Sequence, residues 1–318
     1  DFLIAKKLSS SNNETTKNLL LIIGIFYNLS ILFVFKYLEF ALNLFNMPIT
    51  SIVSQTYATK FIILPLAISF ITFTKISFLV DVFKGNIKCP NSINHLILYI
   101  LFFPQLIAGP IIRYSDIEKE ISSRTITLKN FKSGIVRFVY GLAKKVLLAD
   151  QLSPIIDIAF DTNLINSNPS SFFWIGVIAF SLQIYLDFSA YSDMAVGLGN
   201  MFGFKIPENF RHPYLSTSLQ DFWKNWHITL RRWFVLYVYV PILQKITIKT
   251  LNKDTLKFNN FLITSFPIIT VFLLSGLWHG ASLNFVFWGL FHGLFLILEN
   301  ILKSFYKATN SLIKNLFV

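Results

Sequence analysis

Charge is scarce in this 318-residue chain. Asp, Glu, Lys and Arg make up 14% of it, against about a quarter in a soluble domain, and none of them falls between Phe258 and Leu298. With 54% hydrophobic residues and a mean hydropathy of +0.58, that deficit excludes a soluble globular protein. Cysteine is nearly absent too. A single Cys89 rules out an internal disulfide and offers no cysteine metal cluster. There is no zinc motif, no glycine-rich phosphate loop and no Gly-x-Ser-x-Gly elbow, so neither a metal nor a bound cofactor is expected. The alternating ten-residue strands of a membrane barrel are missing as well. The chain starts at Asp1 rather than Met and carries no signal-peptide pattern, so a fragment of a longer protein is expected.

What is present is a set of charge-free runs: Asn18–Phe35, Phe40–Thr59, Phe61–Thr74, Cys89–Ile112, Asn168–Leu186 and Phe258–Leu298. Several reach the ~20 residues that span a bilayer, and others have the length of re-entrant or tilted segments. The reading is an all-α integral membrane protein, one membrane domain over residues 1–318. The net charge of +12 is not a nucleic-acid signal, because the Lys and Arg residues lie between the apolar runs. There they face anionic lipid, with a bias to the cytoplasmic side.

Along the chain a first helix is expected from about Asn18 to Phe45. A second region, Ile52–Phe83, is broken at Pro65, and a third, Ile93–Ile112, is interrupted by Pro104. Arg113–Lys132 reads as a basic loop. A long span covers Phe172–Met201, and a loop follows through Thr217. Leu219–Leu243 reads as one amphipathic helix: Leu219, Phe222, Trp223, Trp226, Leu230, Trp233 and Tyr237 recur at three- and four-residue steps. Its other row holds Gln220, Lys224, His227 and Arg231. The last two spans, Asn260–Trp278 and Leu283–Leu302, are joined near Gly280.

Histidines supply the chemistry. His279, in Ser275-Gly276-Leu277-Trp278-His279-Gly280, is an ionisable group in a charge-free run, which is costly in lipid and marks a candidate functional site. A neutral imidazole can take a proton from an alcohol, the first step of acyl transfer; a packing histidine bonded to a carbonyl is the competing reading, and the run alone leaves both open. His227 shares a helix row with Lys224 and Arg231. With Arg232 these cations can hold donor phosphates, although the pattern alone favours an interfacial helix whose basic side chains snorkel to lipid. Asp187 and Asp193 stand near membrane depth among hydroxyls. A cavity lining is one reading; a structural network is favoured, since buried carboxylates need partners. His292 is read as a packing residue.

Six ordered segments carry a resemblance: Phe103–Tyr114, Gly141–Asp150, Ser181–Asp193, Pro207-Glu208-Asn209-Phe210, Phe222-Trp223-Lys224-Asn225-Trp226-His227, and Ser275–Gly280. The chain resembles the membrane-bound O-acyltransferases, in the bacterial branch of alginate O-acetyltransferase membrane subunits, peptidoglycan O-acetylating proteins and the teichoic acid D-alanyl transfer protein. The resemblance implies a multi-helix bundle around a funnel or tunnel, with re-entrant and interfacial helices. It places the family's essential histidine at His279 and its second at His227. The helix row of His227 makes Lys224, Arg231 and Arg232 the candidates for donor binding, with Asn225, Trp226, Trp278, Asp187 and Asp193 as tunnel or supporting residues. The donor that the resemblance implies is acetyl-coenzyme A or another cytoplasmic acyl thioester, as substrate. The acyl group would pass across the bacterial cytoplasmic membrane to an envelope polysaccharide, through a periplasmic acetyltransferase partner. D-alanyl transfer from a carrier protein is the alternative within the class. An envelope-precursor transporter or flippase with histidine proton relays is the alternative outside it. By the same resemblance a first helix and a C-terminal part are missing here. Three places depart from the family pattern: the Phe-Arg-Asp-Tyr after the second histidine is Phe234-Val235-Leu236-Tyr237, the Pro-Leu-Gly-Gly is Pro241-Ile242-Leu243-Gln244, and the Ser-Gly is Ser189-Ala190.

Overall fold

The computed structural model describes residues 1–47, 65–161, 169–250 and 256–316, and every regular element among them is helical. In chain order these are α1 (Phe2–Ser10), α2 (Glu14–Leu32), a π-turn (Phe33–Tyr37), α3 (Leu38–Leu44), α4 (Ile68–Phe83), α5 (Ile93–Ile100), α6 (Phe103–Leu106), α7 (Tyr114–Ser122) and α8 (Leu128–Ala143). A second π-turn (Lys144–Ala149), α9 (Asp150–Ala159) and α10 (Ser170–Met201) follow. After a 3₁₀ turn (Pro213–Leu215) come α11 (Leu219–Asn225), α12 (Ile228–Phe234), a third π-turn (Val235–Tyr239), α13 (Val240–Thr250), α14 (Leu256–His279) and α15 (Leu283–Leu316). Two compact units result, Asp1–Gly24 with Phe70–Arg211 and Ile25–Ser69 with His212–Val318.

The apolar runs become spans where length allows. Glu14–Leu44, Ser170–Met201 and Leu283–Tyr306 are long and apolar enough to cross a membrane, and Ile263–His279 is a shorter apolar helix. Their outward residues, among them Ile22, Phe26, Trp174, Ile178, Phe287 and Phe291, are exposed, a concentration of apolar surface that marks contact with lipid or protein.

Two expectations need correction. Arg113–Lys132 is not a loop throughout. Its residues Tyr114, Ile117 and Ile121 are buried at helical spacing along α7, and Asp116 starts that helix by accepting the Arg113 N–H at 3.1 Å. Ile93–Ile112 is interrupted at Pro104, as expected: α5 has eight residues and α6 four, with Pro104 in the first turn of α6, where its missing N–H costs nothing. Leu219–Leu243 is not one helix. It breaks at Trp226, which is extended, and at His227, which is left-handed at φ 43° and ψ 54°. The part of the second region before Pro65 lies outside the described residues.

The first unit has its core where the Phe103–Tyr114 segment packs. Tyr99, Tyr114, Phe78, Leu79 and Ile112 are fully buried. The Tyr99 hydroxyl donates to the Ile112 carbonyl at 3.0 Å, and the buried Gln105 amide donates to the Tyr99 carbonyl at 2.8 Å, so these two buried donors are partnered. Helices α8 and α10 pack through small residues. A Cβ on Gly134 would stand 2.6 Å from the Gly197 carbonyl oxygen, and one on Gly141 would stand 2.7 Å from that of Ala190. This is the close approach that lets membrane helices gain dispersion contact without a hydrophobic driving force.

The same helix pair is cross-linked by charge. Asp193 receives Arg137 at 2.6 Å and Lys144 at 2.5 Å, Arg137 also reaches Glu208 at 2.7 Å, and Lys145 pairs with Asp150 at 2.6 Å and Asp187 at 2.7 Å. Ser192 accepts from buried Asn209 at 3.1 Å. In these ion pairs the two aspartates have the partners that the favoured structural reading requires.

Candidate active site

The second unit holds both candidate histidines. Helix α11 starts on Ser218, whose hydroxyl accepts the Asp221 N–H at 3.1 Å. Its first turn docks on α15: Glu299 accepts the Gln220 N–H at 3.1 Å, an anion where the helix dipole favours one. Asn300 accepts from the Gln220 side chain. The chain then turns at Trp226-His227. A left-handed non-glycine residue costs of order 1–2 kcal/mol and persists only where its surroundings hold it. His227 is held by burial, being 3% exposed, and by the helix it starts, whose Arg231 N–H bonds the His227 carbonyl at 3.1 Å.

His279 is the last residue of α14. It is exposed but ringed by aromatics, with centroid distances of 4.9 Å to Trp278, 5.0 Å to Trp288 and 6.2 Å to Phe285. Trp278 also neighbours the second histidine, 6.0 Å from the His227 ring. Gly276 and Gly280 leave room for the next helix rather than for a ligand. A Cβ on Gly276 would strike the Phe285 carbonyl, and one on Gly280 the Phe285 ring.

Both histidines line one cavity of ≈330 Å³. Gln220, Lys224 and Arg231, the rest of the polar row seen in the sequence, line it as well. Trp223, Trp226, Leu230 and Phe234 from α11, the turn after it and α12, and Val271, Phe272 and Leu296 from α14 and α15, supply its apolar wall, with Ser275 among them. The helix break therefore does not scatter the row; it turns all four members onto the same space. Val235, first of the residues that replace the family's charged pair, lines the cavity within the third π-turn, so the wall is apolar at that point.

His227 lies outside the candidate spans. Burial pushes its imidazole well below the ordinary histidine pKa, and His279 acts in the same direction. It is therefore neutral at physiological pH. Among the described residues no group of three or more His, Cys, Asp or Glu is placed to hold a metal.

The other expected residues fall elsewhere. Arg232 does not line the cavity, and neither does Asn225; the Asn225 amide donates to the Asp221 carbonyl at 3.0 Å and supports the end of α11. Asp187 and Asp193 belong to the first unit. His292 sits in a ring cluster with Trp288 at 4.7 Å and Trp223 at 5.0 Å. Sequence reading missed Lys36 and Tyr37, whose side chains bond the carbonyls of Trp278 and Leu277. One signal was available: Lys36 ends the charge-free run Asn18–Phe35 inside a segment that otherwise continues as a span.

Comparison with known proteins gives these features a family. Residues 84–313 match the model of the membrane-bound O-acyltransferase (MBOAT) family, and the chain belongs to that family. It is 38% identical over 285 residues to a probable alginate O-acetylase AlgI of Azotobacter vinelandii, covering 89% of this chain and 54% of that protein. It is 36% identical over 323 residues to a peptidoglycan O-acetyltransferase of Helicobacter pylori, covering 92% and 58%. It is 27% identical over 248 residues to a teichoic acid D-alanyltransferase of Bacillus subtilis, covering 76% and 60%. The chain thus spans little more than half the length of these relatives.

Proposed function

We propose that this chain is the core of a multi-pass O-acetyltransferase of the bacterial cytoplasmic membrane, which passes an acetyl group from a cytoplasmic thioester toward an envelope polysaccharide. The observation that carries the reading is the single cavity lined by His227 and His279 with Lys224 and Arg231. Its volume lies at the small end of ligand sites and suits an acyl thioester arm. Phosphates of a donor such as acetyl-coenzyme A would then meet Lys224 at the end of α11 and Arg231 on α12, with Arg232 next to Arg231 on α12.

A thioester is already activated, so the protein has to supply position, a base and dryness. In this reading His279 takes the proton of the acceptor hydroxyl as its oxygen attacks the thioester carbonyl. The C–O bond forms, the C–S bond breaks, and the leaving thiolate takes that proton from the imidazolium. His227, neutral and fixed by the turn, orients the reacting groups. Trp226 keeps the path apolar, and Trp278 packs against both imidazoles. Asp187 and Asp193 support the fold around Lys144 and Lys145. A periplasmic acetyltransferase partner would complete delivery to the polysaccharide. Acetyl is proposed over D-alanyl because the acetylating relatives are more similar, at 38% and 36% identity against 27%.

The test is replacement of His279 by Ala in the full-length protein, with envelope polysaccharide O-acetyl content measured in cells. Loss of O-acetyl groups at normal protein level supports the reading. Unchanged acetylation at normal protein level removes His279 from the chemistry.

A further inference from the structure

The transfer just described gives no role to Lys36, an ionisable group of the second unit. Lys36 sits in the π-turn Phe33–Tyr37, inside the span Glu14–Leu44. A cation at membrane depth is expensive and is found where it has work or a partner. No carboxylate pairs with Lys36 among the described residues. Its ammonium instead donates to the Trp278 carbonyl and to the Ser69 hydroxyl at 3.0 Å, and it lies 5.9 Å from the centre of the Trp278 ring. The neighbouring Tyr37 hydroxyl donates to the Leu277 carbonyl at 2.8 Å.

We propose that Lys36 and Tyr37 are positioning residues for His279, a role that rests on the acyl-transfer reading above. The last carbonyls of a helix have no partner within it, and in an apolar setting each open one costs several kcal/mol. At the end of α14 the Gly276 carbonyl accepts the Gly280 N–H at 3.3 Å, Leu277 is taken by Tyr37, and Trp278 by Lys36. The Trp278 carbonyl belongs to the same planar peptide unit as the His279 nitrogen, so the ammonium grips the link from which the imidazole hangs. The positive charge also stands where the helix dipole favours a cation. The third π-turn lines the same cavity as His279, and π-turns inside helices are frequent at functional sites.

The experiment uses the full-length protein in detergent with two readouts. In the Lys36→Met variant, kcat for acyl transfer falls about 10- to 100-fold, the usual consequence of a displacement near 1 Å, while KM for the donor stays within about twofold. Lys36→Arg, which keeps a donor and the charge, recovers most of the rate. Separately, carbethoxylation of His279 by diethyl pyrocarbonate, read by peptide mass spectrometry, speeds up several-fold in Lys36→Met, while that of His292 in its own ring cluster does not change. If Lys36→Met does not fold, Tyr37→Phe removes only the Leu277 bond and moves both readouts the same way by a smaller factor. Unchanged labelling of His279, or an equal rise at His292, overturns the proposal. A wild-type protein that transfers no acyl group overturns the functional reading, and the labelling still decides whether Lys36 holds His279.

Discussion

Removing the carboxylate of Asp193 should destabilise the protein far more than removing that of Asp150, although both are ion-paired. Asp193 is 8% exposed, and it meets two cations at 2.6 Å and 2.5 Å. In the Asp193→Asn variant the size is kept and the charge lost. Lys144, with only 14% of its side chain exposed, then keeps the Ser189 hydroxyl at 3.2 Å and the face of the Tyr140 ring, with no anion to pair with. Breaking a buried pair from one side costs about 3–5 kcal/mol. Arg137 is 36% exposed and retains Glu208, itself 41% exposed, so solvent screens its share and the lower end applies, about 3 kcal/mol. Asp150 is 45% exposed and Lys145 keeps Asp187, so Asp150→Asn should cost at most about 1 kcal/mol. Unfolding in mixed micelles with increasing denaturing detergent, followed by near-UV circular dichroism, measures both. At about 1.4 kcal/mol per tenfold, Asp193→Asn should lower the folding equilibrium about a hundredfold. Equal costs for the two variants, or less than about 1 kcal/mol for Asp193→Asn, would refute the account of this network.

Three further outcomes follow from the cavity and from the burial of His227. His227→Asn keeps a residue that tolerates the left-handed conformation, so it should fold normally and lose transfer activity, whereas His227→Val should also lose stability. Because the folded-state pKa of His227 is depressed, the unfolded chain binds the proton first as pH falls. Wild-type stability should therefore decline below about pH 6.5, the free imidazole value, and this part of the decline should vanish in His227→Asn. The double variant Lys224→Gln with Arg231→Gln should raise KM for the thioester donor about 10- to 100-fold, the worth of one or two charge-assisted hydrogen bonds, with kcat little changed. A kcat effect without a KM effect would place those cations elsewhere.

Much of this was readable in the sequence because bilayer thickness and helix periodicity act locally. The span Ser170–Met201 and the pair of helices meeting at Gly280 fall where the apolar runs put them. The polar row Gln220, Lys224, His227, Arg231 was visible as a row, but the break inside it was not. Neither Gly nor Pro marks Trp226-His227, and the left-handed turn is imposed by tertiary burial. The aspartates' need for partners was plain from their setting. Which cations satisfy them was not, since Arg137 and Asp193 are 56 positions apart. The grip of Lys36 on the end of α14 joins residues 242 positions apart. One interrupted apolar run hinted that Lys36 mattered, and only the fold shows what it touches.

The central claim is that His279 takes the acceptor proton in a cavity shared with His227. Single-turnover acyl transfer by the reconstituted full-length protein tests it most directly. His279→Ala should lower the rate by about 10²- to 10⁴-fold, the range of general base catalysis, with donor binding unchanged. A rate within about threefold of wild type would contradict it.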